Sequence, residues 1–186
     1  MPRASRAQAQ AHREEVVTAA AAMVRRDGVD GMTVPQVMAA AGLTHGGFYR
    51  HFTSKDDLVA QACAAACAEK EMEREQILAA APDEHSARRT FIARYLSPIH
   101  RDTPSQGCGL AALAADVARA EPDAPVREVY LDGLRAMIDD LSRLDGREPL
   151  VETALLAGAL MLARAAAGDP LSDRILTAAK DFLLDE

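Results

Sequence analysis

The sequence predicts an all-α fold of about nine helices. Apolar residues return at helical spacing along most of the chain, and no stretch sustains the two-residue alternation of a half-buried strand. The composition is 49% hydrophobic but only 4% aromatic, with no Trp, and alanine-rich chains of this kind favour helix over sheet. Breaks fall at Pro104, Pro122, Pro125, Gly146, Pro149 and Gly168 to Pro170, spaced as helix ends would be. No internal repeat or low-complexity tract interrupts the pattern, and 186 residues suffice for a small head on a larger body.

The first helix is expected over Ala9–Asp27, with Val16, Ala20, Met23 and Val24 as its apolar stripe and Gly28 as its stop. Thr33 is placed to cap a short second helix, with Pro35 in the first turn and Val34, Val37, Met38 and Ala41 inward. Gly42 ends that helix, and Thr44 caps a third that runs to about Phe52. Ser54, with Asp57 three residues on, opens a long fourth helix as a variant capping box. Leu58, Ala62, Ala65, Ala66, Met72 and Ile77 keep its period until Pro82. Five further helices are expected over residues 84–100, 106–120, 125–144, 149–168 and 171–184.

Two short helices joined by Ala41-Gly42-Leu43 fit a helix-turn-helix, whose tight turn needs a residue tolerant of left-handed backbone. Phe48 and Phe52, four apart, share the inner face, and Leu43 pairs with Phe48 as a hydrophobic staple. His45, Gly46, Gly47 and Tyr49 are then left near the N-terminal end of the third helix, the end that meets base edges in such motifs. Two glycines there each cost about 1 kcal/mol of helix stability relative to Ala, which suits close backbone approach to a large partner. Tyr49 and His51 are able to donate to phosphates. Lys55 and Thr33 stand at helix starts, where amide groups and dipole favour an anion.

The net charge of −7 argues against nucleic acid until its distribution is read. Residues 1–55 carry seven Arg and Lys against four Asp and Glu, a net +3, whereas the rest carries 14 against 24, a net −10. A basic head on an acidic body is the asymmetry expected when one end meets phosphate. The apolar run Val16–Val24 has Glu14-Glu15 before it and Arg25-Arg26-Asp27 after it, the wrong flanks for a secretory signal. Even residues 150–168 carry Glu152 and Arg164, so no membrane span is expected. Three cysteines, Cys63, Cys67 and Cys108, form an odd set that suits a reducing cytoplasm. No glycine-rich phosphate loop, zinc-protease helix, serine-hydrolase elbow or sequence-adjacent Cys–His pair is present, and His85 and His100 read as isolated surface histidines. No enzyme activity, cofactor or metal is expected.

The run from Gly42 to Leu58, GLTHGGFYRHFTSKDDL, resembles the TetR-type regulators, which pair a three-helix DNA-binding head with an all-α ligand-binding body. The resemblance covers about Ala11 to Leu58; over the body only helix number and layout agree. It implies that Thr33, Tyr49, His51 and Lys55 contact phosphates and that Thr44, His45, Gly46 and Gly47 line the base-reading surface. It divides the chain into a head over residues 9–54 and a ligand-binding and dimerisation body over 55–186. It further implies a homodimer held by the last two helices, binding a palindromic double-stranded operator as a repressor that a small molecule releases. The nearly apolar stretch over residues 151–167, rich in Ala and Gly, is the sequence candidate for that interface.

Candidate effector contacts on the middle helices are Met72, Phe91, Tyr95, Cys108, Leu113, Val117, Tyr130, Met137 and Met161, each of which also reads as core. Cys108 lies where a helix should begin, with Arg101 nearby in sequence, so a thiol sensor of oxidants or electrophiles is an alternative, set against a small buried hydrophobe. A ligand-binding module without DNA function is the other alternative.

Overall fold

The computed structural model describes residues 6–144 and 146–185; Arg3, counted in the basic head, lies outside them. The described residues contain no strand, as the composition requires. Among the described residues nine α-helices run in order: α1 (Arg6–Gly31), α2 (Val34–Ala40), α3 (Lys55–Ala80), α4 (Glu84–Tyr95), α5 (Pro98–Asp102), α6 (Gly109–Arg119), α7 (Pro125–Ser142), α8 (Pro149–Ala165) and α9 (Pro170–Leu184). Two 3-10 segments, His45–Arg50 and Pro104–Gln106, complete them.

Gly28 interrupts α1 with φ 75°, so the predicted stop is a kink, after which the chain makes one more turn to Gly31. The expected helix over residues 84–100 is instead two. Pro98 bars helical backbone at the residue before it, and Ser97, in extended conformation, caps α5 by accepting from the His100 N–H. Met72, expected on the inner stripe of α3, is 55% exposed. It stands five residues from buried Ile77, well off that face of the helix.

Two clusters make the core. One gathers α1, α2, Phe48, Phe52 and the first turns of α3, and it also takes in Leu113 and Val117 of α6 and Val126 of α7. The other packs α4, the start of α6, the later part of α7, α8 and α9 around Phe91, Ile92, Leu96, Leu156 and Leu160. α3 contributes to both. Charged residues inside are matched: Glu152, 1% exposed in α8, pairs with Arg88 of α4, and Asp140 of α7 holds Arg74 of α3 at 2.7 Å. This explains how the largely apolar α8 carries a buried carboxylate. α8 and α9 bury Leu156, Leu160, Leu176 and Leu183 on one side. On the other they leave Leu150, Val151, Leu162, Leu171 and Phe182 about half exposed or more. No helix among the described residues is long and apolar enough to cross a membrane.

Candidate DNA-binding interface

α2 ends in a Schellman turn. Gly42 N–H reaches the Ala39 carbonyl at 3.0 Å and Leu43 N–H the Met38 carbonyl at 2.8 Å, with Gly42 at φ 70° where a side chain would strain the backbone. The turn delivers the chain to Thr44, extended at φ −81° and ψ 145°, which is the predicted N-cap position. Its hydroxyl makes no cap hydrogen bond and is exposed.

The segment that follows is a 3-10 helix, His45–Arg50, not the α-helix expected through Phe52. Gly46 and Gly47 supply little α-helical preference, and the turn tightens to three-residue bonds, Gly47 N–H to Thr44 O and His51 N–H to Phe48 O. Its scaffold is the predicted one. Phe48 and Phe52 are 1% and 2% exposed, with stacked rings at 5.4 Å. Arg13 of α1 lies over the Phe52 ring at 5.5 Å.

With Phe48 turned inward, His45, Gly46 and Tyr49 face solvent, and Tyr49 is 76% exposed. Gly46 has nothing within 4 Å of where a Cβ would stand, whereas Gly47 lies over the Met38 methyl. Thr33, exposed at the start of α2, donates its hydroxyl to Gln36 Oε1 at 2.7 Å. Ser54 caps α3 by accepting from Asp57 N–H at 3.0 Å. Asp57 reaches back one residue further than a capping box, to the N–H and hydroxyl of Thr53. Lys55, half-buried, is the first residue of α3. His51, also half-buried, has its pKa lowered by burial first and then by His12, Arg13 and Arg50, so cations surround it. Seven of the eight predicted site residues thus lie within twelve positions of chain, Thr44 to Lys55, joined by Thr33 at the neighbouring helix start.

The effector candidates do not gather in one place. A cavity of about 730 Å³ opens between α3, α4 and the α5 region, and of the nine candidates only Phe91 and Tyr95 line it. Cys108, Leu113, Val117 and Met137 are buried in the core clusters, Tyr130 packs against them, and Met72 and Met161 are partly exposed elsewhere. Cys108 is the N-cap of α6, 3% exposed, with its N–H donated to His100 Nε2 at 2.9 Å. Arg101 does not serve it: that guanidinium binds Ser172 and Asp173 of α9 and its neighbour Asp102. His100, read as an isolated surface residue, is part of the structure's interior wiring. Its Nδ1 bonds the Tyr95 carbonyl at 2.7 Å, and Arg164 of α8 donates to its carbonyl at 2.9 Å.

One residue that sequence reasoning missed joins the two ends of the molecule. Asp116, in the last turns of α6, accepts the Val29 N–H at 3.2 Å through Oδ2 and binds Arg119 through Oδ1. A Cβ on Gly28 would stand 3.1 Å from the same Oδ2, so the kink of α1 makes room for it. Nothing in the local sequence marks a contact across 87 positions.

A helix-turn-helix head with an open polar edge, packed against a helical body, is the arrangement of DNA-binding transcriptional regulators. Residues 16–62 match the family model of the bacterial regulatory proteins of the TetR family. Over those residues the chain is similar to the TetR family, and along its length it has the fold of that family's regulators. A TetR-family regulator from Agrobacterium tumefaciens superposes with TM-score 0.76 at 20% identity over 94% of this chain and 98% of that one. One from Chloroflexus aurantiacus gives 0.77 at 22% identity over 96% and 94%. The reduced form of NemR from E. coli gives 0.75 at 20% identity over 92% and 96%. No curated protein matches the chain by sequence.

Proposed function

We propose that the chain acts in the cytoplasm as a homodimeric repressor that grips a palindromic operator and lets go when a small molecule fills the cavity of the body. In this reading Thr33, Tyr49, His51 and Lys55 meet phosphates, and Thr44, His45, Gly46 and Gly47 face the groove floor. The observation that carries it is the course of α6. The segment leading into it, with Thr103 and Gln106, lines the cavity, and its far end holds the α1 kink through Asp116. A ligand that binds one position of α6 better than another would shift the population of head positions by that difference in affinity. The uncovered apolar face of α8 and α9 supports the dimer, which two half-sites one helical turn apart require. The buried Cys108 thiol, with Arg101 engaged elsewhere, favours the core role over the thiol sensor.

Selection of binding sites from a random duplex pool tests the reading. The selected sites are expected to be symmetric, and affinity is expected to fall steeply with salt, by about 0.9 decade per decade of salt for each phosphate neutralised. Tyr49→Ala should weaken all sequences alike while leaving that slope nearly unchanged, because an uncharged hydroxyl neutralises no phosphate, whereas His45→Ala should alter sequence preference. Absence of binding to any duplex at low salt would overturn it.

A further inference from the structure

The cavity has a charge pattern that selects among ligands. Its volume of about 730 Å³ suits a small organic molecule, and Ile77, Phe91 and Tyr95 give it an apolar, aromatic part. Five charged side chains also line it: Glu69, Lys70, Glu73, Arg74 and Arg94. Both carboxylates are already matched, Glu69 by Arg25 at 2.8 Å and Glu73 by Lys70 at 2.7 Å. Arg74 is matched by Asp140 at 2.7 Å. Arg94 has no salt bridge among the described residues and is exposed. His100 adds no charge at neutral pH, because burial pushes it down to about 4, with Arg164 and Lys70 adding to the effect against the Tyr95 carbonyl bond. Burial pushes the Glu73 carboxyl up, yet Lys70, with His100 and Arg94, holds it below the usual carboxylate range. The lining is therefore left with a single surplus positive charge, at Arg94, inside a body whose sequence is strongly acidic.

We propose that the cavity binds a small organic monocarboxylate, with its apolar or aromatic part against Ile77, Phe91 and Tyr95 and its carboxylate matched by Arg94. A guanidinium presents paired donors that fit a carboxylate, and one surplus charge balances a monoanion and no more. An organic cation would have to break the Lys70–Glu73 or Arg25–Glu69 pair to find a partner. A dianion would carry one charge in without a match. The inference rests on the cavity's being the effector site and adds the class of effector.

The absence of Trp makes the test direct, since a naphthyl probe fluoresces without tryptophan background. The full chain is titrated with 2-naphthylacetate, with 2-naphthylacetamide and with 2-(2-naphthyl)ethylamine. The acid is expected to bind saturably and at least about tenfold more tightly than either matched compound. Arg94→Gln, at an exposed and unpaired position, is expected to remove about that tenfold for the acid and leave the amide unchanged, with an unaltered melting curve as the check on folding. Equal or tighter binding of the amine, indifference of the acid to Arg94→Gln, or no binding by any of the three overturns the proposal. DNA affinity measured in the same samples separates this from the reading beneath it. An acid that binds through Arg94 without releasing DNA leaves the ligand class standing and overturns the effector role. Release by the amine alone keeps the effector role and overturns the class.

Discussion

At Gly46 an added methyl group would meet nothing in the free protein. Against a duplex it would stand between the backbone and the groove floor. Gly46→Ala is therefore expected to hold or raise the melting temperature, since Ala is favoured over Gly in helical backbone by up to about 1 kcal/mol, while weakening DNA binding about tenfold. Thermal denaturation alongside a binding titration checks it; unchanged binding would mean that another part of the head approaches the bases. His51 gives a pH test. Its pKa lies below the ordinary 6.5 because burial, and after it the neighbouring His12, Arg13 and Arg50, disfavour the charged ring, so the free protein favours its neutral form. A phosphate alongside would raise that pKa. A group whose pKa rises on binding takes up a proton, so affinity should grow as pH falls through 6.5, by at most about one decade per pH unit. Binding measured across that range with His51→Asn beside the parent should show the slope in the parent alone. These surface residues were legible because the motif is contiguous. Asp116 and the Arg164 bond to the His100 carbonyl were not, because their partners come from chain that the local pattern does not mention.

Among the elements, α6 has two ends with different work. Its start follows the cavity lining, and its last turns secure the α1 kink. Asp116→Ala is expected to lower stability by about 1 kcal/mol and to speed amide hydrogen exchange at Val29, whereas Asp116→Asn keeps an acceptor and should restore most of the protection. Equal protection in the alanine variant would show that some other group holds the kink. Periodicity located nearly every helix, because amphipathic stripes and Gly or Pro stops are written in adjacent residues. The Ser97-Pro98 break escaped because apolar residues on both sides kept the period across it. The third helix was placed correctly and mistyped: two glycines allow either helical form, and the packing of Phe48 and Phe52 decides between them.

In the whole molecule, the face left open by α8 and α9 sets the expected assembly. Leu162 is 62% exposed, so Leu162→Glu should leave the subunit folded. A charge buried at a pairing face should raise the dimer dissociation constant by about tenfold or more, read by sedimentation, and weaken binding to two-half-site DNA far more than to a single half-site. A variant that sediments as the parent does would place the interface on another face. The cavity was hidden from sequence reasoning for the converse reason. Its lining is charged and half-exposed, Lys70, Glu73 and Arg94 above all, whereas apolar residues at helical spacing, such as Leu113 and Met137, went to the core.

The shared core also limits how such a regulator is rewired. Val16, Met38, Phe48 and Phe52 are sealed by residues as distant as Leu113, Val117 and Val126. A head transplanted onto another body without the matching face of α6 would arrive with part of its interior uncovered. Changes of operator preference are therefore most readily made by exchanging surface residues in place, with the head kept on the body it was packed against.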